Sequence, residues 1–176
     1  MPTQEKKVLF ATDMSRDCRD AYAYALDLST RHQARLVLLH IIEQQPIDMN
    51  KKIKDLFGEE RYEEILRENE SKAKSTLIGK RKESDLINAA LRAITQDASG
   101  DRAENPVADD KIVIKKGDVV EEIIATAMEE ACELIMLSAH AESPQEAIVS
   151  KTIQDVLRRS KVPVIIVPPM MGMAAR

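Results

Sequence analysis

The chain has 176 residues, of which 44% are hydrophobic and 32% charged, with a net charge of -4 and a pI near 5.5. That length and balance predict one globular domain spanning 1–176. The acidic balance, an aromatic content of 3% and the absence of Trp argue against nucleic acid and anionic lipid as partners.

Cys18 and Cys132 lie far apart and form no C-x-x-C pair, so they read as reduced thiols. The start of the chain carries no long apolar stretch, and no segment reaches the roughly 18–20 apolar residues of a membrane span. A cytoplasmic location is the expectation.

In chain order, the apolar run 8–12 predicts a first strand that ends at Asp13. Ser15 and Asp17 are N-cap candidates for a helix over 19–32, with Ala21, Tyr24, Ala25 and Leu28 at helical spacing. A second apolar run, 36–42, completes a βαβ unit, right-handed by the usual rule. Its one interruption is His40, which is expected in or near the core. His32, at the helix end, suits the dipole there.

The segment 45–108 is charged and long. Pro46 and Gly58 punctuate its start, and two helical pieces are expected, with a break over 79–84 near Gly79. Only the second, about 84–95 with Leu86, Ile87, Ala90, Leu91 and Ile94, carries a stripe wide enough to cover a sheet. The stretch 97–110, with Gly100 and Pro106, reads as a surface loop, and the charges as a solvated face.

The alternating run 111–115 predicts a third strand. Asp118 and Glu121 fit a capping box for a helix buried through Ile123, Ile124, Ala127 and Ala131. The unbroken apolar run 134–137 predicts a fourth strand buried on both faces. A polar loop follows from Ser138 to Lys151 and contains Pro144. Val149, Ile153, Val156 and Leu157 mark a last helix, and 162–167 a fifth strand. Pro163 places that strand at an edge or confines the proline to its start. The tail after 168, with Met170, Met171 and Met173, reads as loose. Strands alternating with helices predict a three-layer α/β/α sandwich around a parallel sheet.

In such a sheet, ligands sit outside the carboxyl ends of the strands. A phosphate cradle there needs glycines, so that bare backbone N–H groups approach the anion. The loop after the fourth strand has none, and Glu142 and Glu146 bring negative charge into it. No H-x-x-H, H-E-x-x-H or C-x-x-C spacing points to a metal site. His140 stands in the sequence as a single loop histidine without an evident carboxylate or serine companion.

Four blocks resemble the universal stress protein family: KKVLFATDMS, ARLVLLHII, KKGDVVEEIIATAMEEACELIMLSAH and TIQDVLRRSKVPVIIVP. The resemblance covers nearly the whole chain and is weakest over the charged segment. It implies a Rossmann-like fold of strand order 3-2-1-4-5, a homodimer and a role in stress survival. Many members of the family bind ATP through a G-x-x-G…G-(S/T) loop. Here those glycine positions match Ser138, Ala141 and Ser150, the last followed by Lys151 and Thr152. His140 lies between the first two. The other nucleotide-pocket positions carried over by match are Ala11, Thr12, Asp13 and Ile41. With all three glycines replaced, the expectation is no bound ATP and no other cofactor. The protein is then a non-catalytic homodimer that acts through an unidentified protein partner, pairing at its edge strand through Val164, Ile165, Ile166 and Val167. The alternatives are an ATP-binding switch with weak hydrolysis and, third, a phosphoacceptor domain built on Asp13.

Overall fold

The computed structural model describes residues 5–43, 48–73, 83–99, 111–143 and 146–169. Its first strand, β1 (Lys7–Thr12), is followed by α1 (Cys18–Arg31) and β2 (Arg35–Ile42). Three helices come next: α2 (Met49–Phe57), α3 (Glu59–Ala73) and α4 (Glu83–Ser99). Then come β3 (Lys111–Lys116), α5 (Val119–Glu129) and β4 (Leu134–Ser138). The chain continues through β5 (His140–Ser143), β6 (Glu146–Ile148), α6 (Lys151–Arg159) and β7 (Val164–Val167). Pro46, Gly79, Gly100, Pro106, Pro144, Met170, Met171 and Met173 lie outside the described residues, as do the side chains of Glu142 and Glu146.

The main sheet is five-stranded and parallel in the order β3-β2-β1-β4-β7. Counted over its own strands this is the expected 3-2-1-4-5. The strands read as continuous apolar runs because both faces are covered. Val8, Phe10, Leu36, Leu38 and Met136 point into one core with α1, α2, α3 and α4. Leu9, Val37, Leu39, Ile41, Ile135 and Leu137 point into the other, with α5 and α6. Alternate residues of one strand thus serve opposite layers.

Several local expectations change. In α1, Tyr22 is fully buried and Tyr24 is 42% exposed. The buried arc runs through Ala21, Tyr22, Ala25, Leu26 and Ser29, which sets the Tyr22 ring edge-on against Phe10 at 5.7 Å. Apolar spacing alone did not distinguish these two tyrosines, because either fits a helical face. Asp17 is the N-cap position, but its side chain makes no capping bond.

The charged segment is not one usable helix and one bystander. The first piece is divided at Gly58, whose φ of +79° suits a residue without Cβ. Asp48 caps α2 by accepting from the Lys51 N–H. Ile53, Leu56, Phe57 and Ile65 from α2 and α3 are all core residues. Read as a single helix, these positions do not share a face; the break at Gly58 lets each half turn its apolar side inward. Helix α4 runs on to Ser99, beyond the expected end at Thr95.

Asp118 caps α5 as expected, accepting from the Glu121 N–H at 2.9 Å. The helix ends at Glu129. Ala131 sits at φ +54° just past it, exposed, in a left-handed closing turn. Ser150 caps α6 by accepting from the Ile153 N–H. Val149 and Leu157 are exposed, and Ile153 and Val156 carry the buried side. The last strand starts at Val164, not at 162.

Candidate functional site

The segment after β4, expected as an irregular loop, is a two-stranded antiparallel hairpin of β5 and β6. His140 pairs with Ile148 and Ala141 with Ala147, with an irregularity before Ser143. Antiparallel pairing spends backbone N–H and C=O groups of the two strands on each other. The Ala139 N–H is also committed, to the Val167 carbonyl at 2.8 Å. Composition did not reveal the hairpin, because its strands are short and too polar to stand out.

Across the carboxyl ends of β1, β2 and β4 lies a cleft of about 290 Å³. Of the positions expected to line it, Ala11, Thr12, Asp13, Ile41, Ser138, His140, Ser150 and Thr152 do so. Lys151 does not; it faces a neighbouring groove with Gly117, Asp118 and Asp155. Ala141 is placed in the hairpin by its backbone, and its side chain lies outside the described residues. The cleft also takes His40, Glu43, Met49 and Lys52, which the motif match did not supply. His40 had a signal in the sequence: a single polar residue in an apolar strand must find a partner or a cavity. Lys52 had none, because nothing local places α2 beside the sheet edge.

The turn after β1 is built by side chains. The Thr12 hydroxyl accepts from the Met14 N–H at 3.0 Å, and Asp13 Oδ1 accepts from the Ser15 N–H at 2.9 Å. These bonds hold Met14 at φ +59° with its side chain fully buried, an unusual conformation for a residue that is not glycine. Asp13 thereby presents Oδ2 to the cleft rim.

His140 meets that carboxylate at 2.6 Å through Nε2. Its Nδ1 faces the Ser15 hydroxyl at 3.3 Å and Asp17 Oδ2 at 3.6 Å. The histidine that stood alone in the sequence therefore has two carboxylates and a serine around it, brought together by the approach of the hairpin to the β1–α1 turn. Burial opposes the charge on Asp13, but the bonds from His140 and Ser15 outweigh it and hold the carboxyl well below its usual range. The Asp13 bond raises the His140 pKa against partial burial, and Asp17 adds to the rise. The pair is an ionic latch between hairpin and turn, 43% exposed at Asp13 and 36% at His140.

The links Ser15–His140–Asp13 have the connectivity of a nucleophile, base and orienting acid. However, Ser15 does not line the cleft, and its own N–H, an obvious oxyanion donor, is already given to Asp13.

His40 is of the opposite kind. It is 3% exposed, and burial is the main cause of a lowered pKa, opposed by its bond to the Thr12 carbonyl. That bond, 2.9 Å from Nδ1, requires the proton on Nδ1, since a carbonyl only accepts. Among the described residues, no group of three or more His, Cys, Asp or Glu is arranged to hold a metal ion, and no helix is long and apolar enough to cross a membrane.

The sequence pattern of the Universal stress protein family matches residues 5–168. Among solved structures, the chain is similar to universal stress protein UspA from Lactobacillus plantarum, with 21% identity, 94% of this chain and 99% of that one covered, and a TM-score of 0.57. It is also similar to a universal stress protein in complex with cAMP, at 16% identity, 95% and 99% coverage and a TM-score of 0.55. A universal stress protein from Archaeoglobus fulgidus matches at 14% identity, 92% coverage of both chains and a TM-score of 0.55. At these identities the likeness speaks for the fold. No curated protein matches the sequence at a significant level.

Proposed function

We infer the function from one premise: this chain belongs to the universal stress protein family. We propose that it is a non-catalytic stress-response protein, a homodimer that works through protein partners and does not use ATP. The observation that carries this reading is what replaces the phosphate loop. Ser138, Ala141 and Ser150 stand at the glycine positions, the Ala139 N–H is bonded to β7, and the following residues pair as a hairpin. The rim of the cleft is closed by the 2.6 Å Asp13–His140 contact, and Asp13 and Glu43 bring two carboxylates into a lining where, among the described residues, Lys52 is the one lysine, which supports this reading.

Assembly through β7 is supported by its position. It pairs with β4 along one edge and ends the sheet, with Val164, Ile165 and Ile166 half-buried. Apolar edge strands invite pairing with a second copy. The non-catalytic reading is supported by the commitment of the Ser15 N–H to Asp13.

Isothermal titration with ATP and Mg²⁺ tests the central claim. The expected result is affinity weaker than about 10 μM, near -7 kcal/mol. Tighter binding overturns it and restores the ATP-switch alternative. Light scattering at micromolar concentration is expected to give the mass of a dimer, and a monomer contradicts that part.

A further inference from the structure

We propose that the tail of a second copy docks on this chain, with one of Met170, Met171 or Met173 filling an apolar pocket at the amino ends of β4 and β7. The inference rests on the dimer reading above and deepens it, by assigning what the second copy contributes.

The pocket has a volume of about 120 Å³ and is separate from the cleft. It lies between the closing turn of α5 and the turn from α6 into β7, walled by Ile124, Ala127, Met128, Ile135 and Val162. The polar groups around it are spent on one another. The Ala131 and Cys132 N–H groups donate to the Met128 and Ala127 carbonyls at 3.1 and 2.8 Å. The Ser160 hydroxyl donates to the Val162 carbonyl at 2.7 Å and accepts from the Val162 N–H at 3.2 Å. Lys161 borders the pocket, but its side chain is exposed and keeps its charge in water. Such a space gives a polar ligand or a water little to bond and suits a hydrocarbon or a thioether. Met128, 63% exposed, adds apolar surface that this chain leaves uncovered.

Size and chemistry match the tail. At roughly 30 Å³ for each water in the liquid, the volume takes about four non-hydrogen atoms, the size of one methionine side chain. Methionine is unbranched and adapts to irregular gaps, and the tail carries it at positions 170, 171 and 173.

Symmetry selects the second copy's tail over the chain's own. Two β7 edges that pair about a two-fold axis run antiparallel, with the axis normal to the sheet. The α5–α6 layers of both copies then lie on the same side. The carboxyl end of the second copy's β7 comes to the start of this chain's β7, so the residues after its Pro169 emerge beside Val162. From there β4 is two strand spacings away, roughly 10 Å. Residues 170–173 span up to about 14 Å. In its own copy that segment starts at the opposite end of the sheet. Running back along the four residues of β7 takes roughly 13 Å before any sideways step.

Sedimentation over a dilution series gives the dimer dissociation constant. Met170→Ser, Met171→Ser and Met173→Ser together are expected to raise it about tenfold, equal to about 1.4 kcal/mol. Met128→Lys should raise it by a similar factor, and the combined variant by no more than either, since both remove the same contact. In dimers mixed from one copy ¹³C-labelled at methionine methyls and another labelled at isoleucine methyls, NOEs should join tail methionines to Ile124 and Ile135. Unchanged dissociation constants, or no such NOE in the mixed dimer, overturn the inference and leave the dimer standing. A wild-type monomer overturns both readings. If Met128→Lys does not fold, the tail variant and the NOEs decide.

Discussion

Two histidines divide the carboxyl edge of the sheet into a floor and a rim, and they differ in every physical respect. His40 lies in the floor, buried, kept neutral and tied to a backbone carbonyl of β1. His140 lies in the rim, partly exposed, its pKa raised by carboxylates from the turn after β1. The difference teaches that burial and partners, not residue type, decide whether an imidazole serves as a fixed donor or as a titrating latch. The floor is part of the packed core, so damage there reaches the whole fold. The rim is held by a few polar contacts in water, which contribute little each.

The comparison is broken most severely from below. Ile53 of α2 is fully buried in the core that supports the floor. Ile53→Ala is expected to cost about 2–5 kcal/mol. Urea denaturation should show a lower midpoint with an unchanged slope. A loss near zero means that α2 does not pack on the floor.

At the edge between the two regions, Ser150 caps α6. Ser150→Ala should cost about 0.5–2 kcal/mol, with faster amide exchange in the first turn of that helix. An unchanged exchange rate removes the cap from the account.

The rim itself is sharpened by pH. His140 has a raised folded pKa, so its contribution is fully present below about 6.5 and fades as pH rises through the higher folded value. Asp13 has a depressed pKa, so its contribution is present above about 3.9 and fades as pH falls further. The stability difference between the wild type and His140→Gln is therefore greatest between about pH 4 and 6.5. Because both partners are more than a third exposed, the difference should not exceed about 1 kcal/mol. A difference that grows steadily above pH 8 contradicts the latch. Ser15→Ala and the wild type should also hydrolyse p-nitrophenyl acetate equally, at the rate of buffer with an inert protein. A rate that depends on Ser15 makes the rim catalytic.

The smallest effect lies outside both regions. Tyr24→Ser is expected to change stability by less than about 0.5 kcal/mol, because Tyr24 is exposed and Tyr22 holds the core position. A large loss reinstates the face on which Tyr24 was expected to be buried.

The order of strands and the side of the sheet that carries the cleft were legible in the sequence. Asp13 could be placed because it ends an apolar run, and Ser138 because it ends another. The company of His140 was not legible, since Asp13, Ser15 and Asp17 are more than 120 positions away along the chain. The hairpin escaped notice for a different reason: with few apolar residues, it gives no period to read. The pocket role of Lys52 depends on α2 turning back over the sheet edge, which no local pattern encodes.

The sequence by itself determined the five-stranded parallel sheet, the family and the absence of glycine from positions 138 to 151. These follow from apolar runs, helical spacing and residue identity, which are properties of neighbours along the chain. Only the tertiary structure decided that the hairpin closes on Asp13 and that His40 is buried with its Nδ1 bonded to the Thr12 carbonyl. Those depend on distances between segments remote in sequence, and on burial that exists only once both faces of the sheet are covered.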